Sequence, residues 1–126
     1  MIAFSPNSQF LASASHDMTA KVWGITADMP RRAVRGHSVG IVTVTFSPDG
    51  KLLASGSEDG TVGIWNALAG SLCHMLRGHS SEVIAVAFSP KVLLASASTD
   101  KTIHLWNTTT GSLYRIINAH LDRVDR

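Results

Sequence analysis

The chain is poor in cysteine, in charge and in long apolar runs, and each shortage removes a class of protein. Cys73 is the only cysteine, so no disulfide can close within the chain and no cysteine-based zinc site can be built. In the strand-like run 72–76 its thiol is expected to be a small buried or half-buried group. Charged residues make up only 16% of the sequence, with a net charge of +2. The basic ones, Arg31, Arg32 and Arg123 among them, are scattered rather than gathered into a stripe. Nucleic acid, which is held by clustered phosphate contacts, therefore has no support as a partner. No apolar stretch approaches the roughly 20 residues that span a bilayer, and the N-terminus lacks the basic start and continuous apolar core of a signal peptide. A soluble protein without a membrane partner, intracellular and cytoplasmic, is the expectation.

The sequence does have a period. Phe-Ser-Pro occurs at Phe4–Pro6, Phe46–Pro48 and Phe88–Pro90, a constant spacing of 42 residues. Leu-Ala-Ser follows at Leu11–Ser13, Leu53–Ser55 and Leu94–Ser96, and the tryptophans fall at Trp23, Trp65 and Trp106. The third copy is one residue short after Phe-Ser-Pro, where Lys91-Val92 stands in place of Asp49-Gly50-Lys51. Within the middle copy, Ile41–Phe46 is apolar and β-branched and ends at Ser-Pro-Asp-Gly, a turn sequence. Runs 51–57, 61–65 and 72–76 follow, separated by Glu58-Asp59-Gly60 and Ala69-Gly70-Ser71. Four short strands per period leave no room for a long helix, and four antiparallel strands every 40 or so residues is the pattern of a propeller blade.

The spaced residues GH…V..FSPDG..LASGS.D.TV.IW in the middle copy resemble the WD40 repeat, and the resemblance covers essentially the whole chain as three repeats over 1–126. It implies an all-β fold of three four-stranded antiparallel WD40-type β-propeller blades. The name-giving Trp-Asp pair is absent, since Trp23, Trp65 and Trp106 are followed by Gly24, Asn66 and Asn107. The aspartate before the third strand is present as Asp17, Asp59 and Asp100.

The resemblance also implies a structural role for the recurring polar residues. His37, Ser55, Asp59 and Trp65 are expected to form a hydrogen-bonded chain across the second blade, and His79, Ser96, Asp100 and Trp106 across the third. Ser13, Asp17 and Trp23 repeat the set without an upstream histidine, and His120 has the place of a blade-opening histidine. A Ser-His-Asp triad is disfavoured, because a triad is one constellation beside a pocket and not a feature stamped once per repeat. His37, His79 and His120 are spread one to a blade, whereas zinc needs converging ligands. His16, His74 and His104 have no close spacing to one another or to a carboxylate cluster, so no metal and no cofactor is expected. Carboxylates fall singly at turns and no Gly-x-Gly-x-x-Gly or Walker pattern occurs, so an enzyme is disfavoured.

A propeller closes a ring of typically about 4 to 8 blades, and three blades leave their outer faces uncovered. Counted from Phe-Ser-Pro, Met1 and Arg126 fall at the same place in the repeat. The expectation is a ring closed by missing repeats of a longer array or by head-to-tail oligomerisation, six blades from two copies or nine from three. The function implied is a protein interaction scaffold. In propellers similar to this one, partners often bind the loops entering the first strand and those between the second and third strands. Here those positions are His16, Gly40, Val42, Glu58, Glu82, Ile84, Thr99 and Arg123. The alternative is a ligand-sensing repeat module of a multidomain NTPase signalling protein, which the close similarity of the copies resembles.

Overall fold

The computed structural model describes residues 1–15, 17–24, 37 and 39–118 together with the backbone of 32–35. Among the described residues twelve strands form three separate antiparallel sheets of four, each in sequence order. The first sheet holds β1 (Ile2–Phe4), β2 (Phe10–Ala14), β3 (Thr19–Gly24) and β4 (Arg32–Arg35). The second holds β5 (Ile41–Phe46), β6 (Leu52–Ser57), β7 (Val62–Asn66) and β8 (Leu72–Leu76), and the third β9 (Val83–Phe88), β10 (Leu93–Ser98), β11 (Ile103–Asn107) and β12 (Leu113–Ile117). The strands of the middle copy match the periodic runs of the sequence to within a residue. No helix among the described residues is long and apolar enough to cross a membrane.

Register is the same in each sheet. Phe4 pairs with Leu11 and Leu11 with Trp23. Phe46, Leu53 and Trp65 repeat that ladder, and so do Phe88, Leu94 and Trp106. Because side chains alternate across a strand, each sheet turns this aromatic row to one side and a second apolar row to the other. In the second sheet the second row is Ala54, Val62, Ile64 and Leu76. The sheets meet along β1, β5 and β9, so they fan out like blades.

Two cores result, both between sheets. One packs Ala12, Ala20 and Val22 of the first blade against Val44, Phe46, Leu53 and Trp65 of the second. The other packs Ala54, Val62, Ile64 and Leu76 of the second against Val83, Leu94 and Trp106 of the third. Among the described residues the middle blade alone is covered on both sides. Burial shows it: Trp65 is 1% exposed and Trp106 3%, whereas Trp23, on the side of the first sheet turned away from the second, is 37% exposed. Cys73 departs from expectation. Its side chain is exposed, because Leu72 and Cys73 open the fourth strand of the blade and only its far end, Met75 and Leu76, reaches the cores.

Candidate functional site

The turn before the third strand of each blade is built by an aspartate. Asp59 Oδ1 accepts from the backbone N–H of Thr61 at 2.9 Å and from the Thr61 hydroxyl, and Ser57 Oγ accepts from the Asp59 N–H. Asp17 with Thr19 and Asp100 with Thr102 do the same. The turn needs a left-handed residue after the aspartate, filled by Gly60 at φ 85° and by Met18 and Lys101 at φ 74°.

Above this turn runs a directed chain of hydrogen bonds. In the third blade His79 Nδ1 lies 3.0 Å from Asp100 Oδ2. A carboxylate only accepts, so Nδ1 carries the proton and Nε2 is left to accept from Ser96 Oγ at 2.7 Å. Ser96 Oγ in turn accepts from Trp106 Nε1 at 2.8 Å. The order is Trp106 to Ser96 to His79 to Asp100, joining β11 and β10 to the loop before β9 and to the turn between β10 and β11. In the second blade Trp65 donates to Ser55 at 2.8 Å, and Ser55 lies 2.6 Å from His37 Nε2. His37 Nδ1 reaches Thr61 Oγ1 at 2.9 Å, and the Thr61 hydroxyl donates to Asp59 Oδ1. The threonine was missed in the sequence, although Asp-x-Thr at Asp17, Asp59 and Asp100 signals it. In the first blade Trp23 donates to Ser13 at 3.0 Å. His120 lies outside the described residues.

The environments tune the charges. Burial pushes the His37 imidazole below the usual range, with Asp59 opposing, so the ring is held neutral as the chain requires. Burial raises the Asp100 carboxyl, but hydrogen bonds from Thr102 and His79 and from the N–H groups of Ser80 and Thr102 prevail and hold it at about 2.

His104 corrects the sequence reading. It was expected to stand away from other histidines and carboxylates, yet folding brings it within reach of His79 and Asp100, the ligand atoms of all three lying within 4.8 Å of one another. The reason is strand alternation, which places His104 on the same side of β11 as Trp106. Its ring stacks on that of His79, centroids 3.7 Å apart and planes 20° from parallel. Stacked imidazoles point their in-plane lone pairs side by side rather than at a common centre, so the trio is a stack and not a chelate.

The asparagines standing where the family pattern has aspartate are also employed. Asn66 Oδ1 accepts from the N–H groups of Leu68 and Ala69, and Asn107 Oδ1 from those of Thr109 and Thr110. An amide oxygen serves this turn as a carboxylate would. The shortened third copy has a visible effect as well. Gly50 of the second blade sits against Pro6 of the first, and where the third blade lacks its counterpart a groove of about 200 Å³ opens between Pro48 and Pro90.

On the loop edge, Glu58 is exposed and Val42, Glu82 and Thr99 are half-buried. The backbone ties them in pairs, Glu58 N–H to the Gly40 carbonyl and Thr99 N–H to the Glu82 carbonyl, both at 3.1 Å. Two of the expected surface positions contribute no surface. Gly40 is buried, its carbonyl also accepting from Ser57 Oγ, and Ile84 is 4% exposed, lying at the irregularity where β9 loses register with β10. His16 and Arg123 lie outside the described residues.

A family profile described as "WD domain, G-beta repeat" matches residues 2–24, 29–66 and 70–107. The chain belongs to the WD40 repeat family. Each matched segment ends with the first three strands of one sheet, the second and third segments opening on the fourth strand of the sheet before, and WD40 repeats serve in general as scaffolds for protein interactions. None of the curated proteins compared with the chain matches it. The solved structure of U3-55K superposes with a TM-score of 0.90 at 26% identity, over 97% of this WD40 chain and 39% of that one. The chain thus spans about two fifths of the length of that structure. With 1075 solved chains matching, likeness of fold selects no single partner.

Proposed function

We propose that these WD40 blades are a rigid platform for protein partners, engaged at the loop edge through Val42, Glu58, Glu82 and Thr99, without catalysis and in an intracellular setting. One observation carries the reading. The recurring His, Ser, Asp and Trp side chains, which have the chemistry for catalysis, point at one another inside the second and third blades, whereas the loop edge is fixed by backbone hydrogen bonds and leaves Glu58 exposed and Val42, Glu82 and Thr99 partly exposed. Residues that vary on a fixed scaffold are suited to recognition. The platform is completed as a ring by further copies of the chain, two giving six blades or three giving nine.

The test is comparative affinity capture with the wild-type chain and the Glu58→Lys/Glu82→Lys variant. Loss of captured proteins by the variant with an unchanged melting curve supports the loop edge as the binding face. Identical capture by both chains overturns it.

A further inference from the structure

The turn between β9 and β10 departs from its counterparts in the other two blades. Ser5 and Phe10, like Ser47 and Leu52, enclose four residues, whereas Ser89 and Leu93 enclose three. The turn residue that is Asn7 or Asp49 in the earlier copies is lost and Lys91 is gained. The last turn residue, Gln9 or Lys51 in the earlier copies, is Val92, which is 50% exposed. Its carbonyl accepts from the Thr108 N–H as that of Lys51 does from the Ala67 N–H, so the two positions are equivalent. The shortening opens a groove between the second and third blades, both of them described, so the opening owes nothing to the ends of the chain. Between the first and second blades the longer turn closes this place: a Cβ on Gly50 would lie 3.6 Å from Pro6 Cδ, and Phe46 is 7% exposed. Between the second and third, Phe88 holds the register of Phe46 yet is only half-buried, and with Leu52 and Val92 it forms the apolar part of a groove of about 200 Å³.

The walls carry opposite charges. Pro48 and Asp49 stand on one side, Pro90 and Lys91 on the other. Asp49 and Lys91 are both exposed, and neither has an ion-pair partner among the described residues. The walls are also stiff. Asp49 Oδ1 accepts from the Ser47 hydroxyl and the Lys51 N–H, Ser89 Oγ accepts from the N–H groups of Lys91 and Leu93, and the Val92 carbonyl accepts from the Thr108 hydroxyl as well as its N–H. We infer that the groove is a docking site for a short linear peptide, which places one aliphatic side chain between Pro48 and Pro90, a basic residue toward Asp49 and an acidic residue toward Lys91. Size selects a side chain, since about 200 Å³ is below the roughly 300–1,000 Å³ of sites that enclose a small-molecule ligand. Charge selects the flanks, because walls of opposite sign repel the reverse arrangement. Preformed turns lose little freedom when the peptide seats. Glu58 and Glu82 lie at the other ends of β6 and β9, so this is a second surface, independent of the loop edge.

The probes are the fluorescein-labelled peptides Gly-Glu-Ala-Leu-Ala-Lys-Gly and Gly-Lys-Ala-Leu-Ala-Glu-Gly, one for each chain direction across the groove, titrated with the full chain and read by fluorescence anisotropy. One of them is expected to bind saturably, and glycine in place of its leucine to weaken it by about tenfold or more. Lys91→Glu is expected to weaken it similarly and to favour the peptide that carries lysine in place of glutamate. Replacing Lys91-Val92 by Asp-Gly-Lys, the turn of the second blade, fills the groove with a sequence this chain already folds, and is expected to abolish binding while the melting curve is kept. Absence of binding by both peptides overturns the inference. So does binding that ignores the leucine, which is ion pairing alone, or binding that survives the filled groove. A mass by light scattering that drops when the groove is filled means that it seats another copy of the chain, and overturns the inference too. The Glu58→Lys/Glu82→Lys chain is expected to bind the peptide as the wild type does, so failure of the groove and failure of the loop edge are read separately.

Discussion

His79 and His104 lie face to face at 3.7 Å, and only His79 has its hydrogen bonds made. The Nδ1 atom of His104 is buried without a partner. Burial chiefly, with the neighbouring His79, pushes the His104 imidazole below its usual range, against the pull of Asp100.

An unsatisfied buried polar atom costs on the order of 1–3 kcal/mol. His104→Phe keeps a flat ring against His79 and removes that atom. It is expected to raise the unfolding free energy by about 1 kcal/mol, measured by urea titration. An equal or larger loss means that the ring does not fit and that overpacking outweighs the relief.

The left-handed turn residue gives opposite results in adjacent blades. A Cβ on Gly60 would stand 2.6 Å from the His79 carbonyl oxygen, which is backbone, in addition to the strain of φ 85°. Gly60→Ala is expected to lower stability by about 2–4 kcal/mol, through strain at that φ and displacement of the third blade. Lys101 already bears that strain at φ 74°, so Lys101→Gly is expected to be neutral or to gain up to about 1 kcal/mol. Thermal melts of the two variants shifting in the same direction would remove the argument.

Thr61 bridges His37 to Asp59, whereas His79 touches Asp100 directly. Thr61→Val therefore cuts the chain of the second blade and leaves the His37 N–H unpaired, at a cost of about 1–3 kcal/mol. Thr102→Val leaves the His79–Asp100 bond in place and is expected to cost less. The comparison is made by chemical denaturation of both variants, and equal losses contradict the bridge.

Much of this was legible in the sequence because the repeat fixes it. The alternation of Ile41–Phe46 and the turns at Asp49-Gly50 and Asp59-Gly60 define strands and register locally, and Trp65, Ser55 and His37 recur at fixed spacing. The His104 stack was not legible, since the second blade has Gly63 at the equivalent place and no period points to it. There a Cβ would lie 2.6 Å from Trp65 Nε1, so the glycine makes room for the indole, while in the third blade the ring turns toward His79. The burial of Ile84 was hidden for a similar reason, as it depends on a register irregularity that no residue type announces, and Gly40 is drawn in by its carbonyl, which accepts from Ser57 Oγ and the Glu58 N–H.

The same network fixes how stability responds to acid. The folded-state values of His37 and His104 are depressed, chiefly by burial, so the unfolded chain takes up protons first as the pH falls below about 6.5. Stability contributed by the neutral rings is complete above that value and is lost as the pH drops toward their folded-state values. Asp100 acts in a second, lower window, because its folded value of about 2 lies under the ordinary 3.8 of an aspartate. Its contribution is intact above 3.8 and disappears between there and about 2. Urea midpoints measured from pH 8 to 2 should therefore fall in two stages. Asp100→Asn should flatten the lower stage and leave the upper one dominated by His37 and His104, whereas His104→Phe should shrink the upper stage. A single stage centred near pH 4, unaffected by His104→Phe, would show that the buried imidazoles do not couple to folding.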